Sequence, residues 1–121
     1  MYHAKETDLD VIMDIFKKNR KWFPHVRKFH ISTRINRRQV ILEDSVVITY
    51  HYYTRNQTLS KLDKDGNELG PTVIANKGDC ILHQIATSEK GKASIVLQKF
   101  FNYVKSKKVY LSVRSNNDVA I

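Results

Sequence analysis

Cys80-Ile81-Leu82-His83-Gln84-Ile85-Ala86-Thr87-Ser88-Glu89-Lys90-Gly91-Lys92-Ala93-Ser94-Ile95-Val96-Leu97-Gln98-Lys99-Phe100-Phe101 is the stretch that decides the fold. Cys80, Ile81, Leu82, Ile85 and Ala86 read as a strand, and they flank the polar pair His83-Gln84. Thr87 to Ser94 is a short polar turn. Ile95, Val96, Leu97, Phe100, Phe101 and Val104 then recur at helical spacing, and Val109, Tyr110, Leu111 and Val113 form a further strand. A strand, a crossover helix and a strand in this order make the two strands parallel neighbours, with the Cys80 strand central. The spacing predicts a helix that ends near Lys105 to Lys108, where cations suit its negative end.

Upstream, Leu9, Ile12, Met13 and Phe16 recur at i, i+3, i+4 and i+7, and Thr7 with Asp10 has the form of a capping box. These predict a helix from about Asp8 to Lys18. Pro24 can open a second, shorter helix with Val26, Phe29 and Ile35 facing inward. From Gln39 the pattern turns β-branched. Val40, Ile41 and Leu42, a tight turn at Glu43-Asp44, and then Val46, Val47, Ile48, Tyr50, Tyr52 and Tyr53 make an antiparallel hairpin. Asp65-Gly66, inside Leu62 to Leu69, is a two-residue hairpin tip. A calcium loop would need glycine sixth from its first aspartate, whereas Gly66 is fourth from Asp63. The fold class is therefore α+β or mixed α/β.

The chain of 121 residues is one domain, 1–121, and its single cysteine excludes an internal disulfide. A chain this long buries about two-thirds of its unfolded surface, enough for one core without a metal. Neither a membrane span nor a signal peptide is visible, which predicts no membrane contact and a cytoplasmic, reducing setting. The formal charge of +9 gathers at the ends of the sequence, in Lys17, Lys18, Arg20 and Lys21, in Arg34, Arg37 and Arg38, and in Lys105, Lys107 and Lys108. Such clusters are either a solvated surface or a seat for a polyanion such as nucleic acid.

The turn before the long apolar helix holds the clearest chemistry. A helix N-terminus offers unpaired amides and a partial positive charge, so it can seat a phosphate. Gly91 would let the backbone approach an anion closely, Ala93 would keep the first turn tight, and Lys90 and Lys92 would add charge. Neither the Walker spacing nor the dinucleotide Gly-x-Gly-x-x-Gly is present.

Ser88-x-x-Gly91-x-Ala93 between a strand ending Ile85-Ala86-Thr87 and the helix, followed by Val109-Tyr110-Leu111-Ser112-Val113 and Asn117-x-x-Ala120-Ile121, resembles the GNAT N-acetyltransferase superfamily. That family's loop reads Gln/Arg-x-x-Gly-x-Gly/Ala, followed later by Asn-x-x-Ala-Ile. Gly91, Ala93, Asn117 and Ala120 match, and Ser88 departs from the usual Gln or Arg. The close likeness spans Cys80 to Ile121. It implies a GNAT-like, mostly antiparallel central sheet with helices on both faces, and binding of acetyl-CoA. Amides of Ser88, Glu89, Lys90, Gly91, Lys92 and Ala93, continuing to Ser94, would surround the pyrophosphate. The backbone of Ile85, Ala86 and Thr87 would pair with the pantetheine arm, and Asn117 would hold the cofactor from the next strand's end.

In the family a Tyr-bearing helix and a last strand follow, and the sequence stops at Ile121 before either. The expectation is a fold without them: a truncated sequence, a sheet completed by another chain, or a domain that binds without catalysing. An open final strand edge would favour pairing in a homodimer. The function implied is transfer of an acetyl group from acetyl-CoA to a primary amine acceptor. The alternative is an inactive GNAT-like module that contacts nucleic acid through its basic ends.

His83 and Gln84 sit beside the implied thioester end and are the catalytic candidates. On an alternating strand only one of them would face the cleft, and His83 is the titratable choice, although a hydrogen-bonded structural histidine reads the same way. Glu43, at a turn, reads as a solvated carboxylate and Cys80 as a small buried residue. His25 and His30 are five apart, which is not an i, i+4 ligand pair, and no metal is expected. Tyr50 and Tyr52 share one strand face and Tyr53 takes the other, as acceptor lining or as packing. Trp22, Phe23, His25 and Arg27 fall where the family often places acceptor-contacting loops.

Overall fold

Val46–Tyr52 and Cys80–Thr87 pair antiparallel along their whole length and form the centre of the molecule, a computed structural model that describes residues 1–59, 65, 67, 73–104 and 108–111. In chain order the elements are α1 (Leu9–Lys18), α2 (Lys28–Asn36), β1 (Val40–Glu43), β2 (Val46–Tyr52), β3 (Gln57–Leu59), β4 (Val73–Ala75), β5 (Cys80–Thr87), α3 (Ala93–Tyr103) and β6 (Val109–Leu111). The main sheet runs β1-β2-β5-β6, with only β5 and β6 parallel. The chain is thus α+β with a mostly antiparallel sheet and three helices among the described residues. The crossover through α3 is what makes β5 and β6 parallel, as the strand-helix-strand pattern requires.

Strand alternation sorts the apolar residues into two cores. Ile41, Ile48, Tyr50, Cys80, Leu82 and Ile85 face α3, where Val96, Leu97 and Phe100 meet them. Val40, Val47 and Ala86 face the other way, onto Ile12, Ile15 and Phe16 of α1 and Ile31 and Ile35 of α2. Phe100 is fully buried, with its ring edge-on to Tyr50 at 5.1 Å. Full burial of each such side chain stabilises the fold by roughly 1.5–3 kcal/mol. Residues before α1 run beside β1, with a bridge from His3 to Ile41 and an Ala4 amide donating to Val40 O at 2.9 Å.

Several local readings shift. Arg27 is extended at φ −117° and ψ 145°, so α2 opens at Lys28 rather than at Pro24. That start turns Ile31 and Ile35 to the core and leaves Phe29 76% exposed. The Thr7 and Asp10 pair does not cap α1; Asp8 precedes the helix without a side-chain bond to it, and its carboxylate instead closes the 3-10 turn Glu6–Asp8 by accepting from the Lys5 amide at 2.9 Å and the Tyr2 hydroxyl at 2.6 Å. Glu43 belongs to β1, and the hairpin turn is Asp44-Ser45, whose φ values of 51° and 66° match the twist of the flanking strands. α3 ends at Tyr103, short of the lysines. β3 and β4 pair antiparallel, while all of the expected tip between them except Asp65 and Asn67 lies outside the described residues, as does Val113. Among the described residues no helix is long and apolar enough to cross a membrane.

Candidate functional site

The ladder between β2 and β5 slips once. Thr49 pairs with Gln84 and the next residue, Tyr50, with Leu82, so His83 is an extra residue without a partner in register. The two cores record the consequence: Leu82 and Ile85, three apart, both face α3. His83 and Gln84 therefore share the opposite face. This corrects the expectation that strand alternation would part them, because a bulge breaks the period of two and re-aims the side chains beside it.

Both candidates meet β2 partners there. The Thr49 hydroxyl donates to Gln84 Oε1 at 2.9 Å, which leaves the Gln84 amide nitrogen without an acceptor among the described residues. His83 Nε2 lies 2.6 Å from His51 Nδ1, with the rings stacked at 4.7 Å. Tyr53 stands edge-on to His51 at 5.5 Å and also meets Tyr110 of β6. Burial, the Arg34 guanidinium and His51 together push the His83 pKa down to about 4. Burial and Arg34 lower that of His51 as well. Both imidazoles are neutral near pH 7, and the depressed His83 holds a proton only weakly there.

His51 and Arg34 were not visible as site residues in the sequence. The pairing of His51 with His83 depends on strand register, and Arg34 reads as one of a basic trio. The one available signal is the spacing of Leu82 and Ile85, which is wrong for a regular strand. His3 forms a separate cluster on the other face: its Nε2 is 2.8 Å from the Tyr50 hydroxyl, and its ring lies 5.7 Å from that of Tyr103.

β5 leads directly into the turn expected to hold phosphate. Gly91 sits at φ 85°, and a Cβ built there would meet nothing within 4 Å, so the backbone is left-handed and open to solvent. The Ser88 amide is engaged with Ser45 O at 3.1 Å and the Glu89 amide with the Thr87 hydroxyl at 3.1 Å. The free run therefore starts later than the sequence implied. Lys90 and Gly91 form a turn that brings the Lys92 amide back toward Glu89 O, the amides of Lys90, Gly91, Ala93, Ser94 and Ile95 find no backbone acceptor among the described residues, and Val96 donates to Lys92 O at 3.2 Å. Open donors at the start of an eleven-residue helix can meet the oxygens of an anion. Lys92 Nζ is 3.7 Å from Asp44, an ion pair a stronger anion would compete with.

Other expected residues are dispersed. Thr87 O accepts from Asn19 Nδ2 at 2.9 Å, tying the end of β5 to α1. Ile85 and Ala86 bury their side chains in opposite cores, and their ladder with β2 uses one strand edge. On the other edge the ladder with β6 extends from Cys80 to Leu82 among the described residues. Asn117 lies outside the described residues. Glu43 is partly buried, with Oε2 shielded and 3.5 Å from Lys99 Nζ but without hydrogen-bond geometry. Burial pushes the Cys80 thiol up to about 11, which suits a packed, unreactive side chain. Trp22, Phe23, His25 and Arg27 lie between α1 and α2, and Phe23 packs edge-on to Phe16 at 5.3 Å. Among the described residues no group of three His, Cys, Asp or Glu could hold a metal. No family model, curated protein or solved structure matches the chain.

Proposed function

We propose that this chain is a GNAT-type N-acetyltransferase that uses acetyl-CoA to acetylate a primary amine. The observation that carries the reading is the continuity of β5: a bulged strand runs straight into a turn with open amides at the head of α3. Those donors, with Lys90 and Lys92 beside them, have the charge and hydrogen-bonding capacity for a diphosphate. Acetyl-CoA supplies the activated acyl group as a thioester. In this reading His83 takes the proton the amine must lose, His51 fixes the His83 ring, and the Gln84 amide nitrogen donates toward oxygen. The unpaired backbone of the bulge offers a further donor. Asn117 and the edge of Ile85, Ala86 and Thr87 would hold the rest of the cofactor.

Calorimetry with acetyl-CoA tests the binding step. Saturable binding is expected, weakened at least about tenfold by Gly91→Val, because a β-branched residue disfavours positive φ and crowds the anion. Absence of saturable binding at high micromolar ligand removes the proposal. Release of free thiol on adding an amine, lost in His83→Gln with binding retained, separates catalysis from sequestration.

The nucleic-acid alternative has less support. It rests on the basic clusters alone, of which Lys18 is paired with Asp14 at 3.2 Å and Arg34 is partly buried. If it holds, binding of DNA or RNA falls steeply between low and physiological salt.

A further inference from the structure

A cavity of about 360 Å³ opens between α1 and the loop that leads to α2, and none of its lining residues takes part in the proposed acetyl transfer. Its floor is apolar. Met13, Phe23 and Val26 are partly buried and pack against the core that includes Phe16, whose ring meets that of Phe23 edge-on at 5.3 Å. Asn19 holds the loop in place: its carbonyl accepts from the Phe23 amide at 3.1 Å, and its side-chain amide donates to Ile15 O at 2.8 Å and to Thr87 O at 2.9 Å. The aromatic wall is therefore tied both to α1 and to the end of β5. The rim is charged, and its charges do not cancel. Asp10 is paired with Lys28 and Asp14 with Lys18, each at 3.2 Å, so both carboxylates already have a cation. Lys17 and Arg20 also line the cavity, and neither makes an ion pair with a described residue. Along α1 the lining runs from Asp10 to Lys17 and on to Arg20, which gathers the two unmatched cations at one end.

From this juxtaposition we propose that the cavity binds a small aromatic carboxylate, with its ring against Met13, Phe16 and Phe23 and its carboxylate between Lys17 and Arg20. A third ring extends the edge-on pair of Phe16 and Phe23, and the Met13 thioether is a soft, adaptable neighbour for it. The fork of the Arg20 guanidinium can take both carboxylate oxygens, while Lys17 acts as a point charge. The volume falls within the range of small-ligand sites, about 300–1,000 Å³. The proposal stands independently of the acetyltransferase reading.

The test uses the whole chain and follows the Met13 methyl resonance by NMR during titration with 3-phenylpropionate. 3-Phenylpropanol keeps the ring without the charge, and propionate keeps the charge without the ring. A saturable shift with 3-phenylpropionate is expected, with at least about tenfold weaker binding of either control. Lys17→Gln combined with Arg20→Gln changes only exposed residues and leaves the floor intact. It should bring 3-phenylpropionate down to the level of 3-phenylpropanol. Phe23→Leu keeps an apolar wall but removes a ring, and it should weaken both ring compounds while leaving propionate unchanged.

No saturable shift with 3-phenylpropionate, equal affinity for it and either control, or a preference for the acid that survives the double substitution overturns the site. Each of these outcomes reads the same whether or not the protein binds acetyl-CoA.

Discussion

His83 Nε2 and His51 Nδ1 are 2.6 Å apart, a distance at which one ring must donate and the other accept. Charging both would set two cations against each other with Arg34 already near. The unfolded chain has no such restraint, and its histidines titrate near 6.5. The folded His83 pKa is depressed to about 4, so the unfolded state binds more protons between these values. The stabilisation from the neutral pair is present above about pH 6.5 and is lost as pH falls toward 4. Thermal melting from pH 7.5 to 4.5 should show a decline in Tm that is shallower in His83→Gln. Parallel slopes in the two proteins would exclude this linkage.

Under the proposed chemistry, His83→Gln removes a base and keeps a side chain able to hydrogen-bond to His51. General acid-base groups contribute about 10²–10⁴ in rate, so kcat should fall by at least about a hundredfold. The acetyl-CoA Kd should change less than about threefold, because the open amides lie beyond the other end of β5. Pre-steady-state thiol release measures the first quantity and calorimetry the second. A matched loss in both would assign His83 to folding instead of proton transfer.

Phe100 and Phe29 give opposite expectations for the same residue type. Phe100 is fully buried, at 0% accessibility, so Phe100→Ala should cost about 3–5 kcal/mol. Phe29 is 76% exposed, and Phe29→Ser should stay within about 0.5 kcal/mol. Urea unfolding of the two variants checks both. A large loss at Phe29 would mean that its face of α2 is covered by something outside the described residues.

That pair also shows where sequence patterning reaches. β5, α3 and β6 were legible because an apolar strand, a polar turn and an apolar helix follow one another with clear changes of period. α2 was half legible: its apolar residues fit two registers, and the choice between Phe29 and Ile31 depends on whether the helix opens at Pro24 or at Lys28. At the site, His83 and Gln84 could be named from position, but their common face could not, since a bulge is fixed by how two distant strands slide against each other. His51 and Arg34 are joined to His83 by that same long-range register and by the packing of α2 on the sheet. No local pattern encodes either.

Ser45 holds φ at 66° in the β1–β2 turn, a conformation that costs a non-glycine residue roughly 1 kcal/mol. Its carbonyl accepts from the Ser88 amide, a bond that glycine retains, while its hydroxyl makes a long 3.2 Å contact with exposed Glu89. Ser45→Gly should therefore raise stability by about 0.5–1 kcal/mol in urea unfolding. A loss of stability would show that the Glu89 contact outweighs the backbone strain.

Asp44, its neighbour in the turn, bears on the proposed diphosphate binding at the head of α3. Its carboxylate lies 3.7 Å from Lys92 Nζ, and both side chains are about half exposed, so the pair itself is worth little to folding. If the proposed cofactor places its diphosphate here, the carboxylate would act twice, by repelling the ligand and by occupying a lysine that would otherwise meet it. Asp44→Asn removes both effects and keeps a residue that tolerates positive φ. Acetyl-CoA affinity should rise about two- to fivefold at low salt and converge with wild type as ionic strength screens the charges. Lys92→Met should move it in the opposite direction. Calorimetry of the three proteins at low and high salt makes the comparison, and an Asp44→Asn affinity no higher than wild type at low salt would place the ligand's phosphates away from Lys92.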